Sequence, residues 1–330
     1  MKKIRINFTD FWKNFDPENN SIYKKLVKNY TVVLSENPDY LFFSCYGYDH
    51  LKYDCIKIFY TGENVIPDFN FCDYAIGFHY LNFSDRYRRI PLFSSRESYK
   101  GLLNKNVSNK EKLLNRKFCN FLYSNKNNAH PIRKKFFERL SKYKRVDSGG
   151  GYLNNLGYRV DDKNSFLSEY KFTIAFENSV GEGYTTEKLV DPMSVNSLPV
   201  YWGNPWVERD FNTSSFIRLK DSSGEEIEKA VKKIVYLDQH DDEYLEMLNQ
   251  PWLLQKQFIR ADKIFEEFLT HIFSIPQVDG TKRPRYGYNK FHTLRLKSYV
   301  IESVTIPEPE NLLLKKLKKI YRRISRYIKQ

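Results

Sequence analysis

Short apolar runs separated by polar, turn-forming residues dominate the first third of the chain. Ile4–Phe8, Thr31–Leu34, Tyr40–Phe43, Ile56–Thr61 and Tyr74–Gly77 predict strands, and Ser21–Asn29 predicts a helix between the first two. Buried-strand runs of this kind belong to a largely parallel sheet covered on both faces. From Ser94 to Lys110 the pattern lapses into Ser, Asn, Lys and Arg, which reads as a connector or mobile loop.

A second alternation follows. Phe118–Tyr123 predicts a strand, and Ile132, Phe136, Leu140 and Tyr143 fall at helical spacing behind Pro131, a residue suited to a first turn. A Gly149-Gly150-Gly151 loop, a helical piece near Ser165–Tyr170 and the strand Phe172–Phe176 come next. A helix then begins near Thr186, short or bent because of Pro192, and the strand Leu198–Trp202 closes the series. The fold class is α/β, two Rossmann-like domains facing across a cleft, with ligands at the carboxyl ends of the strands. The expected division is 1–114, 115–300 and a tail from 301 to 330.

In the tail, Leu313, Leu317, Ile320, Ile324 and Ile328 recur at helical spacing between Asn311 and Gln330, and eight Lys or Arg residues occupy the remaining faces. A cationic amphipathic helix of this type suits an anionic membrane surface. The alternative is a stripe packed on the protein body or on another subunit. Eight of the +14 net charges lie here, so the globular body is only mildly basic and a nucleic-acid partner is not expected. The chain of 330 residues is natural for two domains, and neither a signal-peptide core nor a span of about 18 apolar residues is present. The expectation is a cytoplasmic protein held peripherally at the inner face of the membrane. Cys45, Cys55, Cys72 and Cys119 show no C-x-x-C pair and read as buried free thiols.

Chemistry concentrates in residues 176–188, Phe-Glu-Asn-Ser-Val-Gly-Glu-Gly-Tyr-Thr-Thr-Glu-Lys. Gly181 and Gly183 allow a tight turn, and Thr185 or Thr186 can cap the next helix. The uncapped amides and Lys188 form an anion site suited to a sugar-nucleotide diphosphate, and Glu187 suits ribose hydroxyls. An ordinary capped helix is the competing reading. Asp161-Asp162 and Asp241-Asp242 lie in polar stretches rather than at the end of a buried strand, so no obligatory metal is assigned.

The run Tyr170-Lys-Phe-Thr-Ile-Ala-Phe-Glu-Asn-Ser, then Gly183-Tyr-Thr-Thr-Glu-Lys and Leu198-Pro-Val-Tyr-Trp-Gly-Asn-Pro, resembles the signature region of the family-ten glycosyltransferases, the α-1,3/4-fucosyltransferases. Phe59-Tyr-Thr-Gly-Glu-Asn, Phe71-Cys-Asp-Tyr-Ala-Ile-Gly-Phe, Ser124-Asn125 and Arg133 extend the resemblance over roughly residues 3–275. It implies a GT-B fold, GDP-fucose as donor, a GlcNAc-containing glycan as acceptor and inversion at the anomeric carbon, with a divalent ion no more than an aid to the diphosphate. Surface polysaccharide or lipopolysaccharide synthesis, or protein glycosylation, is the setting it suggests. Glu63 matches the family's general base; Arg133, Tyr184, Glu187, Lys188 and Asn178 match donor-binding positions, with Ser124 and Asn125 beside them. The bland alternatives are an exposed loop acid for Glu63 and a solvated cation for Arg133, which shares its helix with Lys134, Lys135 and Arg139.

One stretch departs from the family pattern, which often has acids after Gly-Phe where this chain has His79-Tyr80-Leu81-Asn82-Phe83. The departure bears on acceptor recognition and makes His79, Tyr80 and Asn82 the acceptor-side candidates, with a surface role for His79 as the alternative. Another GDP-linked or deoxy sugar is the alternative donor. A non-catalytic basic membrane-binding protein is the alternative of another class.

Overall fold

The computed structural model describes residues 1–124, 126–254 and 257–303. Asn125 and the tail helix expected at 311–330 therefore lie outside the described residues. The chain forms two parallel sheets, each built before the next begins.

The first sheet contains β1 (Lys2–Thr9), β2 (Tyr30–Leu34), β3 (Tyr40–Phe43), β4 (Ile56–Tyr60), β5 (Tyr74–Gly77) and β6 (Tyr87–Arg89), in the order β2-β1-β3-β4-β5-β6. All five pairings are parallel. Helix α1 (Ser21–Leu26) starts where the Asn20 side chain accepts from the Tyr23 amide, and it buries Ile22 and Leu26. β6 carries two arginines in its three residues and has no apolar signature.

Residues 94–110 are not a loose connector. They hold α2 (Glu97–Lys100) and 3₁₀ turns, and α3 (Lys110–Leu114) follows; Phe93, Tyr99, Leu102 and Leu113 are buried in the core of the second sheet. Apolar residues at these spacings were masked in the sequence by the polar residues between them.

The second sheet contains β7 (Lys117–Phe121), β8 (Val146–Ser148), β9 (Tyr170–Phe176), β10 (Leu198–Trp202) and β11 (Ile217–Arg218), in the order β11-β10-β9-β7-β8, again parallel. β9, the central strand, is buried at all seven positions, Lys171 and Thr173 included, as cover on both faces requires. Helices α4 (Ile132–Leu140), α5 (Lys163–Ser168), α6 (Glu187–Ser194), α7 (Gly224–Gln239) and α8 (Asp241–Asn249) belong to this half. α6 is only eight residues long and contains Pro192, in line with the expected short helix.

Helix α9 (Ala261–Ser274) follows the second sheet in sequence and yet packs under the first. Phe265, Phe268, Leu269, Ile272 and Phe273 share a core with Ile4, Ile6, Phe42, Ile56 and Ile58. A short α10 (Gln277–Gly280) and α11 (Tyr288–Ser303) complete the described chain beside the first sheet. All four cysteines are free; Cys72 and Cys119 are buried, whereas Cys45 and Cys55 are half-buried. Among the described residues no helix is long and apolar enough to cross a membrane.

Candidate functional site

Five loops meet where the strands of both sheets end: those after β4 and β5 from the first half, and those after β7, β9 and β10 from the second. Among the described residues, every candidate that the sequence named falls on one of these loops or on the helix that follows it. Parallel strands all deliver their carboxyl ends to the same side, so residues distant in sequence converge there.

The helix start on the β9 loop is built as expected. Thr186 is the N-cap of α6, its side chain accepting from the Lys188 amide at 3.4 Å. Beneath it lies Glu177, fully buried, a residue to which the sequence had assigned no role. Its two carboxylate oxygens accept from the Thr186 amide and the Thr186 hydroxyl, both at 2.8 Å. The Lys188 ammonium stands 3.4 Å from Glu177 Oε2 and 3.4 Å from Glu187 Oε1, and donates to Thr186 Oγ1 at 3.0 Å. Burial lowers the lysine's proton affinity, but Glu177 and Glu187 outweigh it and hold the ammonium above its usual range. Burial likewise raises the Glu187 carboxyl, yet Lys188, Lys163 and Arg96 bring it below the ordinary value. Arg96 Nη2 reaches Glu187 at 3.7 Å, and Ser98 of α2 donates to Asp191 of α6 at 2.8 Å, so the segment read as a connector braces the site.

Arg133 is not a solvated cation. It is buried at the start of α4, lies 4.0 Å over the Tyr123 ring, and donates from Nη2 to the Phe176 carbonyl at 2.7 Å. Its Nε is buried without a partner among the described residues. The Tyr123 hydroxyl accepts from the Phe176 amide at 2.6 Å and donates to the Ile174 carbonyl at 2.7 Å. This tyrosine carries the guanidinium and clamps the end of β9, and nothing in its local sequence advertises that role. The Asn178 carbonyl accepts from the His130 amide at 2.8 Å and its residue is half-buried; Ser124 is exposed beside Gly151.

Glu63 follows β4 and is exposed at the cleft, its Oε1 accepting from the Tyr46 hydroxyl at 2.9 Å. Burial and that carboxylate push the Tyr46 phenol well above its usual range. Its neighbour Asn64 donates across the cleft to Ser179 Oγ at 2.8 Å and to the Val180 carbonyl at 2.9 Å. Tyr184, buried and packed 5.1 Å from the Phe78 ring, connects the two sides. Burial raises its phenol above the ordinary range, and Glu177, Glu63 and Glu187 reinforce the shift while Arg133 opposes it. The bonds of Asn64 bring its neighbour Glu63 beside the β9 loop of the second half.

The candidates after β5 are dispersed. His79 is buried rather than superficial; its Nδ1 has no partner among the described residues, and burial and then Arg89 lower its pKa. The Tyr80 hydroxyl donates to Asp210 Oδ2 at 2.6 Å, and Asn82 is exposed. The aspartate pairs have structural uses: Asp162 caps α5 and Asp241 pairs with Lys171 at 3.2 Å. Among the described residues no group of His, Cys, Asp and Glu is arranged to hold a metal ion.

Comparison with known proteins fits this geometry. Residues 6–95 match the α-(1,3)-fucosyltransferase FucT N-terminal domain, and residues 108–272 match the glycosyltransferase family 10 (fucosyltransferase) C-terminal model. The chain is 37% identical over 289 residues to an α-(1,3)-fucosyltransferase FucT of Helicobacter pylori, covering 74% of this chain and 59% of that protein. It thus spans less than two thirds of that relative's length. A crystal structure of an α1,3-fucosyltransferase superposes with a TM-score of 0.71 at 32% identity over 86% of this chain and 93% of the other. One solved with GDP-fucose superposes at 0.69, with 32% identity over 84% and 93%. Two parallel sheets with a charged nucleotide-type loop at their facing ends, and matches that run through both halves, place the chain in glycosyltransferase family 10, the fucosyltransferases.

Proposed function

We propose that this protein transfers L-fucose from GDP-fucose, with inversion, to a hydroxyl, O3 in the first instance, of a GlcNAc-containing glycan. The observation that carries the reading is the pair of hydrogen bonds by which Asn64, next to Glu63, meets Ser179 and the Val180 carbonyl of the β9 loop. In this reading a solvent-facing carboxylate of one domain stands opposite an anion-binding helix start of the other. The fucosyltransferases that the chain resembles, one of them solved with GDP-fucose, support the choice of donor.

In this reading Glu63 takes the proton of the acceptor hydroxyl as its oxygen bonds to the anomeric carbon. The bond from that carbon to the β-phosphate oxygen breaks on the opposite side, and its electron pair leaves with GDP. Lys188 and Arg133 offset the charge that builds on the departing diphosphate. Glu187 accepts from ribose hydroxyls, and Tyr46 orients Glu63 through its hydroxyl. The acceptor belongs to a surface polysaccharide or lipopolysaccharide, reached from the membrane surface through residues 311–330.

Transfer measured over a panel of nucleotide sugars, with Glu63→Gln beside the native protein, tests the proposal. GDP-fucose is expected to be the productive donor, and the variant to lose roughly 10²–10⁴-fold in transfer with GDP affinity retained. Native transfer rates in the variant would overturn the base assignment, and no binding of any nucleotide sugar would overturn the activity. Flotation with anionic vesicles, with and without residues 311–330, tests the membrane attachment; equal recovery would exclude it.

A further inference from the structure

A basic cavity lies away from the cleft, at the amino ends of β4 and β5. It measures about 410 Å³ and lies, open to solvent on one side, between the segment leading into β4 and helix α11. Lys52, Lys57, Arg283, Arg285, Lys290 and Lys297 line it, and Asp54 is the one acid of its wall. α11 is seated on this side by Asn289, which donates to Asn70 Oδ1 at 3.0 Å, and by His292 against the Phe71 ring at 5.5 Å.

Lys57 is the unusual member. It sits within the buried strand Ile-Lys-Ile-Phe-Tyr, only 5% exposed, and its ammonium forms no hydrogen bond or ion pair among the described residues. The nearby buried carboxylate of Asp73 is already committed. It accepts from the Lys57 amide at 2.8 Å, from the Lys282 and Arg283 amides at 2.8 and 2.9 Å, and from the Arg283 guanidinium. Asp54, in turn, is shared by Arg283 and Arg285, each at 3.3 Å. A buried cation without a counter-charge is costly, and here it is surrounded by more cations. Burial and then Arg283 bring the Lys57 ammonium down to about 8, although Cys55 and Asp73 act in the other direction.

We infer that this cavity is a binding site for a phosphate-bearing ligand, whose anion neutralises Lys57 together with Lys290 and Lys297 of α11. The volume exceeds that of a bare phosphate and falls in the range of small-ligand sites, and Tyr53, Phe71 and Tyr286 supply apolar wall beside the charges. Two sources share this chemistry, a soluble phosphate ester and a phospholipid headgroup. The site is separate from the donor loop and stands whether or not GDP-fucose is the donor.

The test uses the full chain carrying Lys188→Ala, so that anion binding at the donor loop is suppressed. Calorimetry with pyrophosphate and calorimetry with monomeric short-chain phosphatidylglycerol, which offers residues 311–330 no membrane surface, are each run on this background, then with Lys57→Met, with Lys297→Gln, and with the exposed Lys263→Met as control. The expected result is a loss of at least tenfold in affinity for Lys57→Met and a smaller loss for Lys297→Gln, with the control unchanged. Loss in the pyrophosphate arm alone identifies a soluble ligand; loss in the phosphatidylglycerol arm identifies a headgroup. Absence of binding in both arms, or equal binding by Lys57→Met and the control, would overturn the inference. Thermal melting of each variant shows that it is folded before it is read.

Discussion

Glu177 has no exposure, yet each of its carboxylate oxygens is satisfied by Thr186 and its charge is matched by Lys188. Replacing it with alanine strands the Thr186 amide and leaves Lys188 only Glu187, so Glu177→Ala is expected to lose roughly 2–4 kcal/mol in urea unfolding. Glu177→Gln keeps an acceptor for that amide and should lose about 1 kcal/mol. Lys57 predicts the opposite sign. Its folded value of about 8 lies below the ordinary 10.5, so the native state resists protonation. The resulting destabilisation is complete below about pH 8 and disappears as pH rises through 10.5. At roughly 1.4 kcal/mol per unit the shift amounts to about 3 kcal/mol. Lys57→Met should therefore be more stable than the native protein at pH 7, by an increment that shrinks toward pH 10.5 when the two are unfolded side by side. At this scale the sequence made Glu187 and Lys188 legible, because a glycine-bounded loop before a capped helix has its own signature. Tyr123, Tyr46 and the burial of Arg133 were not legible, because each depends on a partner far away in the chain.

The element that organises the site is the β9 loop with α6. Gly183 adopts a φ of +89°, a conformation that residues with a Cβ rarely take, and an added Cβ would stand 2.2 Å from the Phe78 carbonyl oxygen of the first domain. Gly183→Ala is expected to cost about 2 kcal/mol or more and to push the β5 and β9 loops apart. Faster hydrogen exchange over residues 78–81 and at least tenfold weaker nucleotide binding are the measurements that check it. Apolar runs were legible as strands: β10 and β3 carry no charge, and β9 is apolar without a break from Ile174 to Phe176 after Lys171 and Thr173. The short strands were not. β6 presents Tyr-Arg-Arg, and β8 and β11 have three and two residues, too few for any periodicity to register. The 94–110 segment failed to show its helix for a related reason, since Phe93, Tyr99 and Leu102 are apolar points in a polar stretch and only the second core explains them.

Across the whole molecule the two halves are held by polar contacts concentrated at the cleft. Asp210, almost fully buried in the second half, accepts from Arg89 at 2.9 and 2.5 Å and from Tyr80 at 2.6 Å, both of the first half. The Arg89 guanidinium also lies 4.0 Å over the Tyr80 ring. Asp210→Asn leaves this half-buried arginine without its counter-charge, so it is expected to weaken the junction by roughly 2–4 kcal/mol. A larger radius of gyration by small-angle scattering and new proteolytic cleavage in 79–90 are the readouts, with the cores of both sheets unchanged. Domain approach and the catalytic pairing proposed for Glu63 and the β9 loop would then fall together. The sequence by itself determined the two α/β halves and the strand-loop-helix with its capped start, along with the family motifs that run through both, because these are local patterns of apolar runs, glycines and caps. Only the tertiary structure decided that α9 returns to complete the first core, that Glu177 underlies Lys188 and that Lys57 faces a basic cavity alone. Each of those facts is a relation between residues widely separated along the chain or across sheets, and burial and charge at such points are set by what the fold brings beside them.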